Sequence, residues 1–554
     1  MNNHFPVQEE KFLKSLIVIA IIVLAFGLLF PITTASYSAY YGSIAKHIAV
    51  SNNWSDLMLS NQDWLDKPHF PFWITAASFK IFGVNSFAYI LPGFLFNLLG
   101  AYYTYRLTLY LYHNTNLALL STVIYLTIFH LMISSIDVRA EAYLLGELMP
   151  AVYYWLNYDR KFSLKFLLLG AIFTGLALMT KGIFVIITII SGLLCLWAYE
   201  KRLINIILPK WWLALGLSLV FAIPELIALY LQFDLHPEKV IFGHTHVSGI
   251  RWFFIDSQFG RFFGTGPIMT TNPMPYHQLF FLHTFLWAFL PWSFIYPLAI
   301  YFSIRYFKQQ SVNERNNTVL LLGYFWISFI MFSITSFQVD HYTNIIFPFA
   351  AIMCAKLLYD LRETRHKLFI FQQGIAILML VLIGILIGIL FKGWILIGFV
   401  LLEIIAVLVF VRFWGQTPFI KTILLPFSVI CLVYMFAMTA NGYLYHQYDS
   451  GSIAAEITNR NPELPVVDYQ LDSRGLEFYA QGHYYKADKL SDIPNLPQYY
   501  LVMPDKLWQS ESHPQGQIIG QVKGNVDAKI IPHLANPREL NDNLNTYDII
   551  LVKN

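Results

Sequence analysis

Long apolar runs separated by short polar segments fill the first 441 residues of the chain. A membrane-spanning helix needs about 20 mostly apolar residues, and thirteen segments of the chain meet this criterion. They lie near residues 14–33, 86–107, 116–135, 141–157, 163–180, 182–199, 211–233, 277–304, 317–336, 342–360, 369–391, 393–412 and 421–441. The pattern predicts a mainly α, polytopic membrane protein with about 13 transmembrane helices, formed by residues 1–441.

Two polar loops between these runs are much longer than the others, at residues 34–85 and 234–276. Lys and Arg residues cluster in every second loop, for example at residues 160–165, 201–210 and 356–367. Because cytoplasmic loops carry the excess of Lys and Arg, this side is predicted to be cytoplasmic. The first apolar run lacks a small-residue cleavage site and is predicted to be a retained anchor. The N-terminus would then be cytoplasmic, and both long loops and the C-terminus would be periplasmic.

From about residue 442 the composition becomes that of a soluble domain. Short runs with high β-propensity occur at residues 465–471, 499–503, 517–522 and 547–552, and helical stretches occur at 453–460 and 474–481. Residues 442–554 are therefore predicted to form a small periplasmic α/β domain.

Composition supports the membrane class. Hydrophobic residues make up 57% of the chain and charged residues 12%, whereas soluble domains carry roughly 25% charged residues. The mean hydropathy is +0.53. A net charge of +3, spread among the loops, does not indicate a nucleic-acid partner. Cys195, Cys354 and Cys431 all lie in apolar runs and are predicted to be packing residues.

Charged residues at the membrane boundary are costly, so those on the predicted periplasmic side are candidates for function. The loop 34–85 carries Asp56, Asp63, Asp66, Lys67 and His69. We interpret Asp66 as a catalytic acid or base and Lys67 as a ligand for an anionic group. The alternative is an amphipathic loop on the bilayer surface, and for the tryptophans of this loop we favour that role as interfacial anchors.

A second cluster, Asp137, Arg139 and Glu141, occupies a very short loop. Asp137 and Glu141 are predicted to be catalytic and Arg139 to bind substrate, although a surface ion-pair cluster of little energetic value is the alternative. Lys181 stands alone between two apolar runs. It could extend to the membrane surface, but a compact ammonium also suits a phosphate.

The loop 234–276 is rich in histidine and arginine. His244 and His246 resemble a metal-binding pair but lack a third ligand at suitable spacing, so a structural metal is not predicted there. No cofactor is assigned, with a divalent metal kept as an alternative. Arg251 and Arg261 are predicted to bind phosphate, since a guanidinium can do so bidentately. A later polar segment adds His341 and Tyr342 as substrate-binding candidates.

Acids and cations gathered beside the membrane suit a substrate with an apolar tail in the lipid and an anionic head at the surface. Lipid-linked phosphosugars have this character. This interpretation names membrane lipids and a lipid-linked donor as partners.

Several motifs occur in an order that resembles a known family. They are Asp63-Trp64-Leu65-Asp66-Lys67-Pro68 with Phe72-Trp73, Asp137-Val138-Arg139, Lys181-Gly182, Phe259-Gly260-Arg261, residues 283–293, and His341-Tyr342 with Phe347-Pro348. The chain resembles bacterial membrane glycosyltransferases of the GT-C type, in the protein mannosyltransferase-like branch that includes the lipid A aminoarabinose transferase ArnT. This resemblance implies an inverting transfer of a sugar from a polyprenyl phosphate to an acceptor on the outer face of the inner membrane.

By position, the resemblance implies that Asp66 and Lys67 belong to an acidic-Lys-Pro motif and that Asp137 is a second acid. It further implies that Lys181 and Arg261 contact the lipid phosphate. One departure is the stretch 35–41, where the family usually has an acid and this chain has none. Asp66 or Asp137 could replace it, the acceptor could already be an anion, or this copy could be inactive. A second departure is Gln338-Val339-Asp340, where relatives commonly have Lys and Pro.

The predicted function is therefore transfer of a polyprenyl-phosphate-linked sugar to lipid A or a related envelope glycolipid. Protein O-glycosylation is the alternative within the same scaffold. A lipid or sugar transporter is the alternative from another class, although no internal repeat is evident and Glu225 is the main acid identified within a span. An inactive scaffold paralogue is the third alternative.

Overall fold

The structure is a computed structural model that describes residues 5–32, 37–265, 279–335, 337–364, 366–412, 417–445, 448–471, 473–510, 515–524 and 544–553. The first part of the chain is built from helices joined by short connections. In order, these elements are α1 Phe5–Phe26, α2 Tyr37–Ser51, β1 Met58–Leu59, β2 Gln62–Asp63, α3 Phe70–Phe82, α4 Ser86–Tyr112, α5 Thr115–Leu126, α6 Phe129–Ser134, α7 Ala140–Arg160, α8 Leu164–Lys181, α9 Val185–Tyr199, α10 Pro209–Phe221 and α11 Ile223–Leu229.

The helices of the second part follow the loop after α11. They are α12 Gly249–Arg251, α13 Phe259–Phe263, α14 Phe280–Ala288, α15 Ile295–Arg305, α16 Val312–Ser333, α17 Phe347–Asp360, α18 Lys367–Leu390, α19 Gly393–Arg412 and α20 Pro418–Thr439. A 3₁₀ turn, Asp340–Ile346, leads directly into α17.

The polytopic helical class predicted from the sequence is confirmed. Six described helices are long and apolar enough to cross a membrane, or seven if α10 and the helical segment after it, bent by 43°, count as one span. Each of the thirteen predicted segments contains described helix, but some are broken: α5 ends before α6 begins, and α14 is separated from α15. The count of thirteen and the orientation of the termini stay predictions.

The loop 34–85 contains more structure than the sequence suggested. Two helices, α2 and α3, flank the short hairpin β1–β2, whose strands pair antiparallel. Helix α3 has 13 residues, too few to span a bilayer. The sequence pattern therefore predicts a loop at α3, whereas packing against neighbouring helices makes it part of the fold.

Helix α7 lies in the middle of the bundle and approaches α4 closely. A Cβ atom added at Gly146 would lie 2.5 Å from the Phe96 carbonyl oxygen, and one added at Gly100 would lie 2.9 Å from the Leu145 carbonyl oxygen. Small residues allow helix backbones to meet in this way within membranes. The contact fixes α7, and with it the acidic residue at its start, against the bundle.

The C-terminal part is an α/β domain, as predicted. Its elements are α21 Ser450–Thr458, β3 Val466–Tyr469, α22 Arg474–Tyr479, β4 Tyr484–Ala487, β5 Gln498–Pro504, α23 Asp505–Ser510, β6 Gly516–Gly524 and β7 Asn545–Lys553. The five strands form one sheet in the order β4-β3-β5-β7-β6. Strand β3 is parallel to β4 and β5, and β7 is antiparallel to β5 and β6. Strand β4 was missed by the sequence analysis.

The C-terminal domain packs against the loop 34–85 through α22. The Lys46 ammonium on α2 donates hydrogen bonds to the carbonyl oxygens of Glu477 at 2.8 Å and Phe478 at 3.3 Å, and to that of Ala480. Burial lowers the pKa of Lys46 to about 8. The Ser60 hydroxyl of the β1–β2 turn donates to the Glu477 carboxylate at 2.9 Å. The domain is therefore joined to the loop that carries Asp66.

Candidate functional site

The start of α7 and the end of α8 meet with opposite charges. Glu141 lies in the first turn of α7, where the helix dipole favours an anion, and Lys181 ends α8, where it favours a cation. The two side chains form an ion pair, in which Glu141 is 2% exposed and Lys181 21%. The Lys181 ammonium also lies 4.0 Å from the ring centroid of Tyr342. Three predicted site residues are thus in contact.

Arg139 connects this pair to Asp137. Its guanidinium donates to Asp137 Oδ2 at 2.9 Å and to His341 Nδ1 at 2.9 Å. Because the guanidinium can only donate, we assign the His341 proton to Nε2, which lies 3.7 Å from Glu141 Oε2. The 3.1 Å contact between His341 Nδ1 and Asp340 would require the other tautomer. Asp137, Arg139, Glu141, Lys181, His341 and Tyr342 form one group, which we call the charged cluster.

Helix α2 completes this cluster from the side of the first loop. The Ser38 hydroxyl is buried and donates to Asp137 Oδ1 at 2.6 Å. The Tyr41 hydroxyl is buried nearby, and burial raises its pKa well above the usual value, with the charges of Asp66 and Glu141 adding to the effect. Tyr41 is therefore a neutral phenol, and it lies close enough to Asp66 and Glu141 for both carboxylates to affect its pKa.

Asp66 and Lys67 form an ion pair at 3.0 Å, with Asp66 25% and Lys67 12% exposed. The chain just after them is fixed by a buried contact. His69 donates its backbone N–H to Glu225 at 2.9 Å, and its two ring nitrogens face the Glu225 carboxylate at 3.0 Å and the Ser55 carbonyl oxygen at 2.9 Å. Glu225 thus holds the Asp66 loop against α11. Because its carboxylate is bonded to His69, this intramembrane acid has a structural partner.

One cavity is lined by residues of the charged cluster, and a second lies near it. The first, called the apolar cavity, has Glu141, Lys181 and Tyr342 in its wall, and the rest of its lining is mostly apolar, including Phe184, Val185, Phe262, Phe332 and Ile345. The second, called the polar cavity, is lined by residues of α2, the β1–β2 hairpin and the loop after α11: Tyr37, Tyr40, residues 61–66 and residues 240–243. The charged cluster therefore borders the apolar cavity directly and is linked to the polar cavity through Tyr37, whose ring centroid lies 5.4 Å from the Arg139 guanidinium carbon.

The loop after α11 is held at the polar cavity by two bonds to Asp63. The Lys239 ammonium lies 2.8 Å and the Gln232 amide nitrogen 3.0 Å from Asp63 Oδ1. Phe242 and Gly243 both have positive φ, at 54° and 79°, where Phe is strained and Gly is not. They form a tight turn whose ends, Ile241 and His244, are bonded to each other.

Two predicted phosphate ligands are not brought into the cluster by the described contacts. The Arg251 side chain is 71% exposed and pairs with Asp256 at 3.6 Å. The Arg261 side chain lies outside the described residues, although its backbone belongs to α13, whose Phe262 lines the apolar cavity. Both assignments stay predictions. Among the residues that the structure describes, no three His, Cys, Asp or Glu side chains are grouped to hold a metal ion.

Several residues of the site were not identified from the sequence. Ser38 and Tyr41 lie in the N-terminal half of α2, which contains no charged residue. Glu147, six residues after Glu141 in α7, is fully buried and accepts a hydrogen bond from Thr180 at 2.9 Å. Its position inside an apolar run was a usable signal, since an intramembrane acid is costly, yet only Glu225 was noted.

Comparison with known proteins places this geometry in context. The family described as dolichyl-phosphate-mannose-protein mannosyltransferase matches residues 66–227, which include most of the charged cluster. An uncharacterised protein of Aquifex aeolicus is 23% identical over 67% of this chain and 68% of its own length. The undecaprenyl phosphate-α-4-amino-4-deoxy-L-arabinose arabinosyl transferase of Photorhabdus laumondii is 24% identical over 58% of this chain. This match spans about half, 54%, of the relative's length.

The fold is shared over almost the whole chain with a solved structure. ArnT from Cupriavidus metallidurans, in the crystal structure bound to undecaprenyl phosphate, superposes with a TM-score of 0.72 at 16% identity, covering 97% of both chains. Its apo structure gives the same TM-score. The chain is thus similar in sequence to this mannosyltransferase family over residues 66–227, and it shares the fold of ArnT over almost its whole length.

Proposed function

We propose that the chain transfers a sugar from a polyprenyl phosphate to lipid A or a related envelope glycolipid at the periplasmic face, with inversion at the anomeric carbon. The observation that carries this proposal is the position of Lys181, a partly buried cation in the wall of the apolar cavity. An apolar compartment ending in a cation fits a ligand with a long hydrocarbon chain and an anionic head. The similar ArnT structure is described as bound to undecaprenyl phosphate.

In this proposal the polyprenyl chain of the donor occupies the apolar cavity and its phosphate contacts Lys181. When the bond between the anomeric carbon and the phosphate oxygen breaks, the electron pair goes to that oxygen. Fixed cations stabilise the developing charge most effectively where water is excluded. Lys181 is the described cation at this position, and Lys67 and Arg261 are the further candidates.

The acceptor occupies the polar cavity and attacks the anomeric carbon from the opposite side. Its hydroxyl proton must go to a base as the new bond forms. Asp66 lines the polar cavity, whereas both oxygens of Asp137 accept hydrogen bonds, from Ser38 and Arg139. We therefore assign the base role to Asp66 and let Asp137 orient Arg139. An acceptor that is already an anion would need no base.

The test is a transfer assay with purified full-length protein, a polyprenyl-phosphate-linked sugar and lipid A, read by mass spectrometry. The wild type should add one sugar mass to lipid A. Asp66→Asn should slow transfer by about 100-fold or more, since a positioned base contributes about that factor. Asp56→Asn is the matched control, because Asp56 lies in the same loop and bonds to Ser55 at 2.9 Å. An unchanged rate for Asp66→Asn and Asp137→Asn would refute the site assignment.

A protein acceptor is the second candidate, favoured by the description of the matching family as a protein mannosyltransferase. The same assay with a Ser/Thr-rich peptide separates the two: sugar on the peptide and none on lipid A would replace the first acceptor by the second. A transporter would move lipid-linked sugar across liposomes without forming any glycosylated product, and a scaffold paralogue would do neither.

A further inference from the structure

Arg474 places a cation from the C-terminal domain against two tyrosines that line the polar cavity. It is the first residue of α22, directly after the N-cap Ser473. Its guanidinium carbon lies 4.0 Å from the ring centroid of Tyr40 and 5.5 Å from that of Tyr37. Both tyrosines line the polar cavity. A guanidinium over an aromatic ring is held by the ring quadrupole and keeps its N–H groups available at the edge.

The same tyrosine ring links Arg474 to the charged cluster. The Arg139 guanidinium lies 5.4 Å from the Tyr37 centroid, and Arg139 is bonded to Asp137 and His341. One aromatic ring thus contacts a cation of the transmembrane domain and a cation of the C-terminal domain. Both cations therefore lie beside the same residue of the polar cavity wall.

The two described acids that line the polar cavity pair with cations other than Arg474. Asp63 pairs with Lys239 and Asp66 pairs with Lys67. Within the described part of the chain, no Asp or Glu forms an ion pair with Arg474, whose contacts are to the two aromatic rings. A partly exposed guanidinium that stacks on two tyrosines of the cavity wall, with donors in a planar fork, matches a phosphate or a carboxylate.

We propose that Arg474 is a specificity residue that binds an anionic group, phosphate or carboxylate, on the acceptor held in the polar cavity. The C-terminal domain would then select the acceptor, while the transmembrane domain carries the transfer. This inference rests on the proposed function, because only that function identifies the bound molecule as the acceptor. The binding itself can be measured without donor, so the two proposals can fail separately.

The test compares binding of two matched pairs of probes to the full-length protein in detergent. Lipid A is paired with dephosphorylated lipid A, and monoglucuronosyl diacylglycerol is paired with monoglucosyl diacylglycerol. Arg474→Gln should weaken binding of at least one anionic probe by about tenfold or more, the usual effect of losing a hydrogen bond to a charged group. It should leave both neutral probes unchanged. The anionic probe that is affected identifies the source, phosphate or carboxylate.

Two variants separate recognition from folding. Arg474→Lys keeps the charge and should retain part of the affinity, although it loses the bidentate fork. Arg460→Gln removes an exposed arginine of the same domain and should change nothing. Equal affinity of wild type and Arg474→Gln for all four probes would overturn the inference. Equal losses of affinity for the charged and the neutral probes would also overturn it. So would a wild type that binds both members of each pair with the same affinity. Absence of transfer by the wild type would instead count against the proposed function alone.

Discussion

Glu141 illustrates how a single residue depends on its partner. It is almost fully buried, and Lys181 supplies its charge compensation. An isolated carboxylate in such a place is costly, and removing one partner of a buried ion pair costs about 3–5 kcal/mol of stability. Folding therefore requires both members of the pair, independently of any role in binding phosphate.

This dependence gives a prediction for Lys181. Lys181→Met should lower the free energy of unfolding by about 3 kcal/mol because Glu141 is left buried and unpaired. The double variant Glu141→Gln with Lys181→Met should regain most of that loss, since no charge is then buried. Neither protein should transfer sugar. Thermal unfolding in detergent and the transfer assay are the measurements, and a double variant as unstable as the single one would contradict the argument.

Ser38 shows what a sequence can and cannot reveal at this scale. The stretch 35–41 was noted because it lacks the acid that the resemblance leads one to expect. The structure shows the Ser38 hydroxyl bonded to Asp137, so this part of α2 contributes a neutral donor to an acid from another loop. Asp66, Asp137, Glu141 and Lys181 could be selected from the sequence because they are charged. The Ser38 hydroxyl could not be identified in this way, because its role depends on a contact between residues far apart in the chain.

Among the elements, α7 determines where the cluster lies, because it carries Glu141 and packs closely on α4. Gly146→Ala should destabilise the fold by about 1–3 kcal/mol, since the new methyl group would meet the Phe96 backbone and force a shift. The displaced helix should also lower transfer. Thermal unfolding and the transfer assay measure both effects.

The matched control for this helix is Gly216→Ala in α10, where a Cβ atom would meet nothing within 4 Å. Alanine is the better helix former, so this variant should be as stable as the wild type or slightly more so. If both substitutions behaved alike, close packing of α7 on α4 could not be what positions Glu141.

Strand β3 carries a carboxyl whose titration should be visible in the stability of the C-terminal domain. Burial raises the pKa of Asp468 from its ordinary 3.8 to about 6. The folded domain therefore favours the protonated form, and its stability should fall as pH rises from about 4 to about 6, by about 3 kcal/mol, and then level off. Asp468→Asn should remove this difference. Amide hydrogen exchange of residues 466–469 measures it, and identical pH profiles for the two proteins would contradict the prediction.

Elements were predicted where the local pattern was strong. The four β-prone runs of the C-terminal domain became β3, β5, β6 and β7, whereas β4, a short edge strand, has only four residues of mixed polarity. Helices α2 and α3 were assigned to a loop because their apolar stretches are shorter than a membrane span. Their stability comes from packing against the bundle and α22, which no local pattern reports.

For the whole molecule, the main feature is a charged cluster that lines an apolar cavity and is linked through Tyr37 to a polar one. Residues 66–67, 137–141, 181 and 341–342 come from four separate parts of the chain. Their order suggested a shared site by resemblance, but the two cavities could not be predicted, since their walls are made by helices and loops distant in sequence. The contribution of the C-terminal domain through Arg474 and Lys46 likewise depends on how the domain docks.

The most direct test of the central claim is a structure of the full chain with undecaprenyl phosphate bound. The account predicts the phosphate at hydrogen-bond distance, about 3 Å, from the Lys181 ammonium, with the hydrocarbon chain in the apolar cavity beside Phe184 and Phe332. The polar cavity should remain open to an acceptor next to Asp66. A phosphate bound away from Lys181, with the apolar cavity empty, would contradict the account.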